Sequence, residues 1–201
     1  MASKVSLEQP WTELKDSADV VAKRLLGSEF EREIDGQMVK LKIVETEAYD
    51  QTDAASHSYN GRTPRAATMF GPAGFLYVYF TYGMHYCCNI VSGEEGFGSG
   101  VLIRAVEPIS NTEVLEKRRG GKSGIEVTNG PAKLCQALGI DARMNGHDLT
   151  KSPLKLYIKP AIPETDIVMT TRIGINKAKD THWRFYIKDN PYISVKAKAD
   201  V

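Results

Sequence analysis

Apolar residues recur along this chain at two spacings, and the changes from one spacing to the other mark out its elements. Behind Ser17, the residues Ala18, Val21, Ala22 and Leu25 fall on one face of a helix that Gly27 stops, which predicts a surface helix with one apolar stripe. Glu29 to Glu33 alternates around Phe30, and Val39 to Tyr49 is dense in β-branched and aromatic residues, so both predict strands. Residues 50–74 hold Gly61, Pro64, Gly71, Pro72 and Gly74 and predict a long loop. Leu76 to Phe80 and Tyr86 to Ser92 read as the arms of a hairpin that turns near Tyr82 and Gly83, with Val101 to Val106 as a further core strand. Ser110 and Glu113 have the spacing of a capping box for a helix ending in Lys117, Arg118, Arg119 and Gly120. Gly130, Pro131 and Gly139 bracket another helix, and RFYIKDNPYISV from Arg184 predicts two short strands about a turn. The pattern is that of an α+β domain with a curved, mostly antiparallel β-sheet, surrounding helices and one protruding β-hairpin. Residues 1–201 are read as a single domain, with 1–16 a loosely ordered N-terminal arm.

Composition narrows the setting. A chain of 201 residues with 42% hydrophobic content can bury a substantial core. No apolar run is long enough to cross a bilayer and the start lacks the pattern of an export signal, so an intracellular protein with no membrane partner is expected. Cys87 and Cys88 are adjacent and Cys135 stands alone, which is neither a disulfide framework nor a metal-finger spacing. His57, His85, His147 and His182 have no ligand register and no glycine-rich phosphate loop occurs, so neither metal nor cofactor is expected.

The net charge of +1 conceals an asymmetry: residues 1–60 carry 7 basic and 12 acidic groups, and the remainder carries 19 and 13. From Ala54 to Gly93 there is no aspartate or glutamate, while His57, Arg62, Arg65 and His85 lie inside that stretch. A polyanion would feel this distribution, although a near-neutral total also suits any soluble enzyme. Four of the nine tyrosines, Tyr77, Tyr79, Tyr82 and Tyr86, sit within ten residues of the same stretch. Tyr77 and Tyr86 read as core residues, but Tyr82, beside Gly83, would offer an amphipathic ring at a hairpin tip.

Strict alternation in the strand from Leu41 places Leu41, Ile43, Glu45, Glu47 and Tyr49 on one face. Two carboxylates then share a face with aliphatic residues. Either the strand end opens into a polar cavity, where an ionisable group is a candidate acid or base, or both carboxylates project into water from a frayed end. Arg104 interrupts the apolar run VLIRAV and is either a buried cation with a carboxylate partner or a strand-edge residue reaching solvent; pairing with Glu47 would account for both residues.

The blocks VETEAYD (44–50), AASHS (54–58), RTPR (62–65), LYVYFTYGMHYCCNI (76–90), VLIRAVEP (101–108) and GPAKLCQALGI (130–140) together resemble the alkyladenine, or 3-methyladenine/methylpurine, DNA glycosylase family. The resemblance runs from about Asp19 to Val195, and a shorter N-terminus than that of animal members suits a bacterial or minimal form. It implies a base-excision-repair enzyme that flips an alkylated or deaminated purine out of duplex DNA and hydrolyses its N-glycosidic bond, leaving an uncut abasic site. In that scheme Glu47 is the general base for a water held with the help of Arg104. Tyr49, His57 and Tyr79 are the aromatic walls around the base, Asn89 disfavours the amino group of normal guanine, and Tyr82 fills the vacated place in the stack. Asn89 reads equally as a hydrogen bond inside a strand. Arg62, Arg65 and Lys133 are possible DNA backbone contacts, with Lys133 on a solvated helix face as the other reading. The expected partner is double-stranded DNA with damaged purines, bound by a monomer. Two other classes stay open on the residues alone: a non-catalytic nucleic-acid-binding module, and a hydrolase of free nucleosides.

Overall fold

The β-branched and aromatic runs become strands of one nine-stranded sheet, every recorded pairing of which is antiparallel. The structure, a computed structural model, describes residues 11–197. Its strands are β1 (Glu29–Ile34), β2 (Gln37–Asp50), β3 (Phe75–Thr81), β4 (His85–Val91), β5 (Ser99–Pro108), β6 (His147–Asp148), β7 (Leu154–Tyr157), β8 (Ile167–Thr170) and β9 (Arg184–Ile187). The order across the sheet is β6-β3-β4-β5-β2-β1-β7, with β9 paired to both β2 and β8. Three helices accompany it among the described residues: α1 (Ala18–Arg24), α2 (Thr112–Arg118) and α3 (Pro131–Leu138).

Alternation sorts the strands' side chains between two faces. Leu76 and Val78 of β3, Cys88 and Ile90 of β4, and Val101 and Ile103 of β5 join Val21 and Ala22 of α1, Leu25 just after it, and Leu134 and Leu138 of α3 in the main core. On the opposite face Tyr77 and Val91 pack with Ala66, Met69 and Phe70 from the long loop, beneath Tyr49 and Tyr79. That loop is therefore a packed layer, and it carries a short 3-10 turn at Ala67–Phe70.

The facing of the two glutamates is corrected by the structure. Ile43 pairs with Val106 and Glu45 with Ala105, so Val44 is an extra residue on β2; Thr46 then pairs with Ile103, so Arg104 is an extra residue on β5. Each extra residue shifts the alternation by one position, and the two cancel in register. Leu41, Ile43 and Ala48 consequently lie in the main core, and the Thr46 hydroxyl donates to the carbonyl of Ala22 in α1 at 2.9 Å. Glu45, Glu47 and Tyr49 do not share the face of Leu41 and Ile43. They point the other way.

Three further expectations change. The capping box does not form: Asn111, in a left-handed conformation, precedes α2, and the Ser110 hydroxyl accepts from the Lys40 amide at 3.3 Å. The tail from Arg184 supplies one strand, not two, because β9 finds its partners in β2 and β8 and leaves no edge for a local hairpin. Of the proposed N-terminal arm, residues 1–10 lie outside the described residues, while Trp11 and Leu14 are buried in the main core. An indole and a leucine there gain more from burial than a free arm would keep in entropy. The helix from Pro131 to Gly139 forms as expected, with Pro131 in its first turn and left-handed Gly139 (φ 63°) closing it.

Thr46→Val tests the double bulge. If Thr46 faces α1, losing its hydroxyl leaves the Ala22 carbonyl without that donor, and urea unfolding should show a loss of about 1–2 kcal/mol; a strand without bulges predicts no loss.

Candidate active site

Beyond the bulges, Glu47 and Tyr49 share a sheet face with Tyr79, Cys87, Asn89 and Arg104, opposite the face that Val78, Cys88, Ile90 and Ile103 turn to the main core. All of these except Glu47 line a cavity of about 470 Å³, and Glu47 lies directly behind Tyr49 and Arg104. The volume falls within the roughly 300–1,000 Å³ usual for small-ligand sites. The cavity's rim includes His57 in the long loop, Tyr82 at the β3–β4 tip, Pro131 at the start of α3, and the segment from Ile173 to Lys177.

Glu47 is fully buried. Its Oε2 accepts from the Tyr49 hydroxyl at 2.8 Å, and its Oε1 accepts from the Ile173 amide at 2.8 Å and lies 3.2 Å from Nη1 of Arg104. An ionised carboxylate can only accept hydrogen bonds, and here it is surrounded by donors. Burial and the negative charge of Glu47 push the Tyr49 phenol well above its ordinary pKa, so Tyr49 stays a donor. Burial works against the Arg104 charge, but Glu47 and Glu45 outweigh it and raise the guanidinium's pKa.

Glu45 is also fully buried and serves as an anchor. Its Oε1 accepts from Nε of Arg104 at 3.2 Å, from Nε of Arg184 at 2.7 Å and from the Ser194 hydroxyl at 2.9 Å; its Oε2 accepts from the Ser194 amide at 2.5 Å. Arg104 therefore spans the two carboxylates. Its chain position inside the β5 bulge turns it away from the core that Ile103 enters.

Among the aromatics, Tyr79 stacks on Tyr77 (centroids 5.7 Å apart) and meets His57 edge-on at 4.6 Å, while His57 Nδ1 shares a hydrogen bond with the Tyr77 hydroxyl at 2.9 Å. Burial, aided by the nearby Arg65 charge, lowers the His57 pKa to about 4. The imidazole is neutral near pH 7. Burial raises the Cys87 thiol to about 11, with Cys88 adding to it, so this cavity wall is a protonated thiol and a poor nucleophile. Asn89 is buried and its Nδ2 donates to the Tyr77 carbonyl at 3.3 Å, so it both makes the strand hydrogen bond and lines the cavity.

Tyr82 is 80% exposed, and with Gly83 it makes the β3–β4 turn through two left-handed residues (φ 51° and 67°). A tyrosine in that region is strained by about 1–3 kcal/mol, and Gly83 beside it takes the second positive φ without penalty. Arg62 is exposed; Arg65 lies 5.6 Å over the Tyr79 ring and donates to the Phe80 carbonyl at 3.4 Å. Lys133 is engaged within the protein, donating to Asn129 Oδ1 at 2.8 Å and lying 3.6 Å from Glu126.

Sequence reasoning passed over Asp53, Arg172, Trp183 and the Ile173–Lys177 wall. One signal was available: Arg172 interrupts the β-branched and apolar run IVMTTRIGI as Arg104 interrupts VLIRAV. Among the described residues no cluster of three His, Cys, Asp or Glu side chains could hold a metal ion, and no helix is long and apolar enough to cross a membrane.

The lowered His57 pKa has a sign that can be checked. The unfolded imidazole takes a proton near 6.5 and the folded one only near 4. The neutral ring's contribution is thus complete above about 6.5 and is lost as pH falls toward 4. Urea titrations across that window should show stability falling with pH, and the fall should be shallower in His57→Gln.

Comparison with known proteins identifies the family of the chain. The profile of the family described as methylpurine-DNA glycosylase (MPG) matches residues 12–191. A protein of Carboxydothermus hydrogenoformans, provisionally named 3-methyladenine DNA glycosylase, is 54% identical over 179 residues, covering 88% of this chain and 93% of its own length. Relatives with the same provisional name in Desulfitobacterium hafniense and Clostridium botulinum are each 48% identical; they cover 88% and 90% of this chain and 93% and 96% of their own lengths. With a match across nearly all the described residues and identities far above chance, the chain belongs to the methylpurine-DNA glycosylase family.

Proposed function

We propose that this protein extrudes a damaged purine from duplex DNA into the aromatic cavity and hydrolyses its N-glycosidic bond with a water activated by Glu47. One observation carries the reading: a fully buried carboxylate, held by Tyr49, Arg104 and the Ile173 amide, backs a cavity walled by aromatic rings. An extruded base would exchange its stack in the duplex for one on Tyr49, Tyr79 and His57, worth about 1–3 kcal/mol per base. Glu47 would take a proton from the water whose oxygen attacks C1′, while the bond from C1′ to the purine nitrogen breaks and the base leaves with its electron pair. Arg104 would keep carboxylate and water in line. A base methylated at N3 or N7 is already cationic and departs neutral, which makes it an easier leaving group than a normal purine.

The neutral His57 supports this reading, because a protonated imidazole would repel a cationic base. Cys87, the thiol in the cavity wall, is held protonated and so does not compete with water as a nucleophile. In this reading water attacks without a protein nucleophile, and the enzyme is monofunctional and leaves the abasic site uncut. Asn89, fixed by its bond to Tyr77, would crowd the exocyclic amino group of guanine. Tyr82, exposed on a strained turn, would enter the minor groove and hold the gap open. Arg62 and Arg65 on the acid-free stretch, and Lys133 near the start of α3, would meet phosphates once the duplex competes for them. The partner is then double-stranded DNA carrying alkylated or deaminated purines, bound by one copy of the chain.

Two substitutions test the scheme on duplexes carrying hypoxanthine or a methylated purine. Glu47→Gln should bind the duplex and release no measurable base; release at the wild-type rate would remove water activation by Glu47. Tyr82→Ser should slow base release about 10- to 100-fold through poorer extrusion, with less loss on a mispaired lesion, since such a base costs less to unstack.

A further inference from the structure

Arg172 is fully buried, lies outside the cavity lining, and yet reaches three sides of it. Its guanidinium covers the Tyr49 ring at 4.6 Å and the Trp183 ring at 5.5 Å. Nη1 donates to the Ala48 carbonyl at 2.9 Å and also to Asp53 Oδ2; Nη2 donates to Asp53 Oδ1 at 3.0 Å, making the pair bidentate. Asp53 Oδ1 in turn accepts from the Ala55 amide at 3.0 Å, and the Asp53 carbonyl accepts from the Ser56 amide at 2.9 Å, which sets the turn that presents His57. The next residue after Arg172 is Ile173, whose amide donates to Glu47 Oε1. Arg172 also leaves Nε buried without an acceptor, so its placement follows the ring and the carboxylate at the expense of one donor.

We propose that Arg172, paired with Asp53, is a positioning residue that holds the Tyr49 wall, the His57 turn and the amide donor to Glu47 in one fixed arrangement. The inference rests on the reading of the cavity as a glycosylase site. Among the described residues no other side chain ties all three walls together. The planar fork and stacking face of arginine are both used, which a lysine cannot reproduce. Neither partner touches the hairpin tip or the surface cations, so loosening the pair should disturb the bound nucleotide's alignment and leave duplex capture intact. A misplacement of about 1 Å at such a site can cost on the order of 100-fold in rate.

The test is single-turnover release of hypoxanthine from a duplex at rising protein concentration, which separates the maximal rate from the half-saturating concentration. For Arg172→Lys the expected result is a maximal rate lowered about 30-fold or more with half-saturation within about threefold of wild type. Arg172→Met and Asp53→Asn should each show a similar split. The double variant Arg172→Met/Asp53→Asn, which leaves no orphaned buried charge, should be no slower than the worse single variant, as befits residues acting as a unit. A folded Arg172→Lys with wild-type maximal rate would overturn the proposal, as would a change confined to half-saturation or losses that multiply in the double variant. If neither Arg172→Lys nor the double variant melts cooperatively, the pair is needed for folding and the positioning role is likewise overturned. A wild-type protein that releases no base at all would instead refute the glycosylase reading.

Discussion

Arg104 lies between two carboxylates that have no access to solvent, and the arrangement of the site follows from the need to satisfy them. A lone buried carboxylate would be driven to neutralise or to unfold the strand around it. Here Glu45 is held by Arg104, Arg184 and Ser194, and Glu47 by Arg104, Tyr49 and the Ile173 amide. Asp53 and Arg172 add a third buried pair alongside. Each carboxylate has at least one guanidinium against it, so charge is balanced within the interior and does not depend on counter-ions. The partners come from β5, β9 and the segments after β8 and β9, which means that the network closes only when distant parts of the chain have docked.

The two bulges are what make this interior possible. Without them β2 and β5 would alternate regularly, and Glu45, Glu47 and Arg104 would not all face away from the packed helices. One extra residue on each strand corrects the facing while keeping the register. Division of labour follows: one face of the sheet packs on α1 and α3, and the other gathers the aromatic and charged side chains of the candidate site.

The cavity's aromatic lining and the exposed hairpin tip answer to opposite constraints. Tyr77 is buried and braces His57 and Tyr79, so the inner rings have few alternative positions. Tyr82, five residues further on, is left on a strained turn with its ring mostly in water. An aromatic held out against both burial and backbone preference is poised to gain from a partner. In the proposed function that partner is the gap in a base stack.

Local pattern in the sequence was enough for most strands, for α1 and α3, for the hairpin and for the place of its turn, because each depends on neighbours two to four residues apart. It also drew attention to Glu45, Glu47, Arg104 and the tyrosine cluster, since a charge in an apolar run or an aromatic beside a turn glycine is visible without a fold; the choice of Glu47 over Glu45 came from the family resemblance. The missed capping box and the single tail strand show where such reading stops: Ser110 found Lys40, and β9 found β2, at separations no local rule covers. Only the tertiary structure decided which way Glu45 and Glu47 face, because a bulge is defined by the partner strand's register and not by the strand's own alternation. It alone brought Arg172 to Tyr49 and Asp53, residues more than a hundred positions apart whose pairing is stable only once the surrounding core has excluded water.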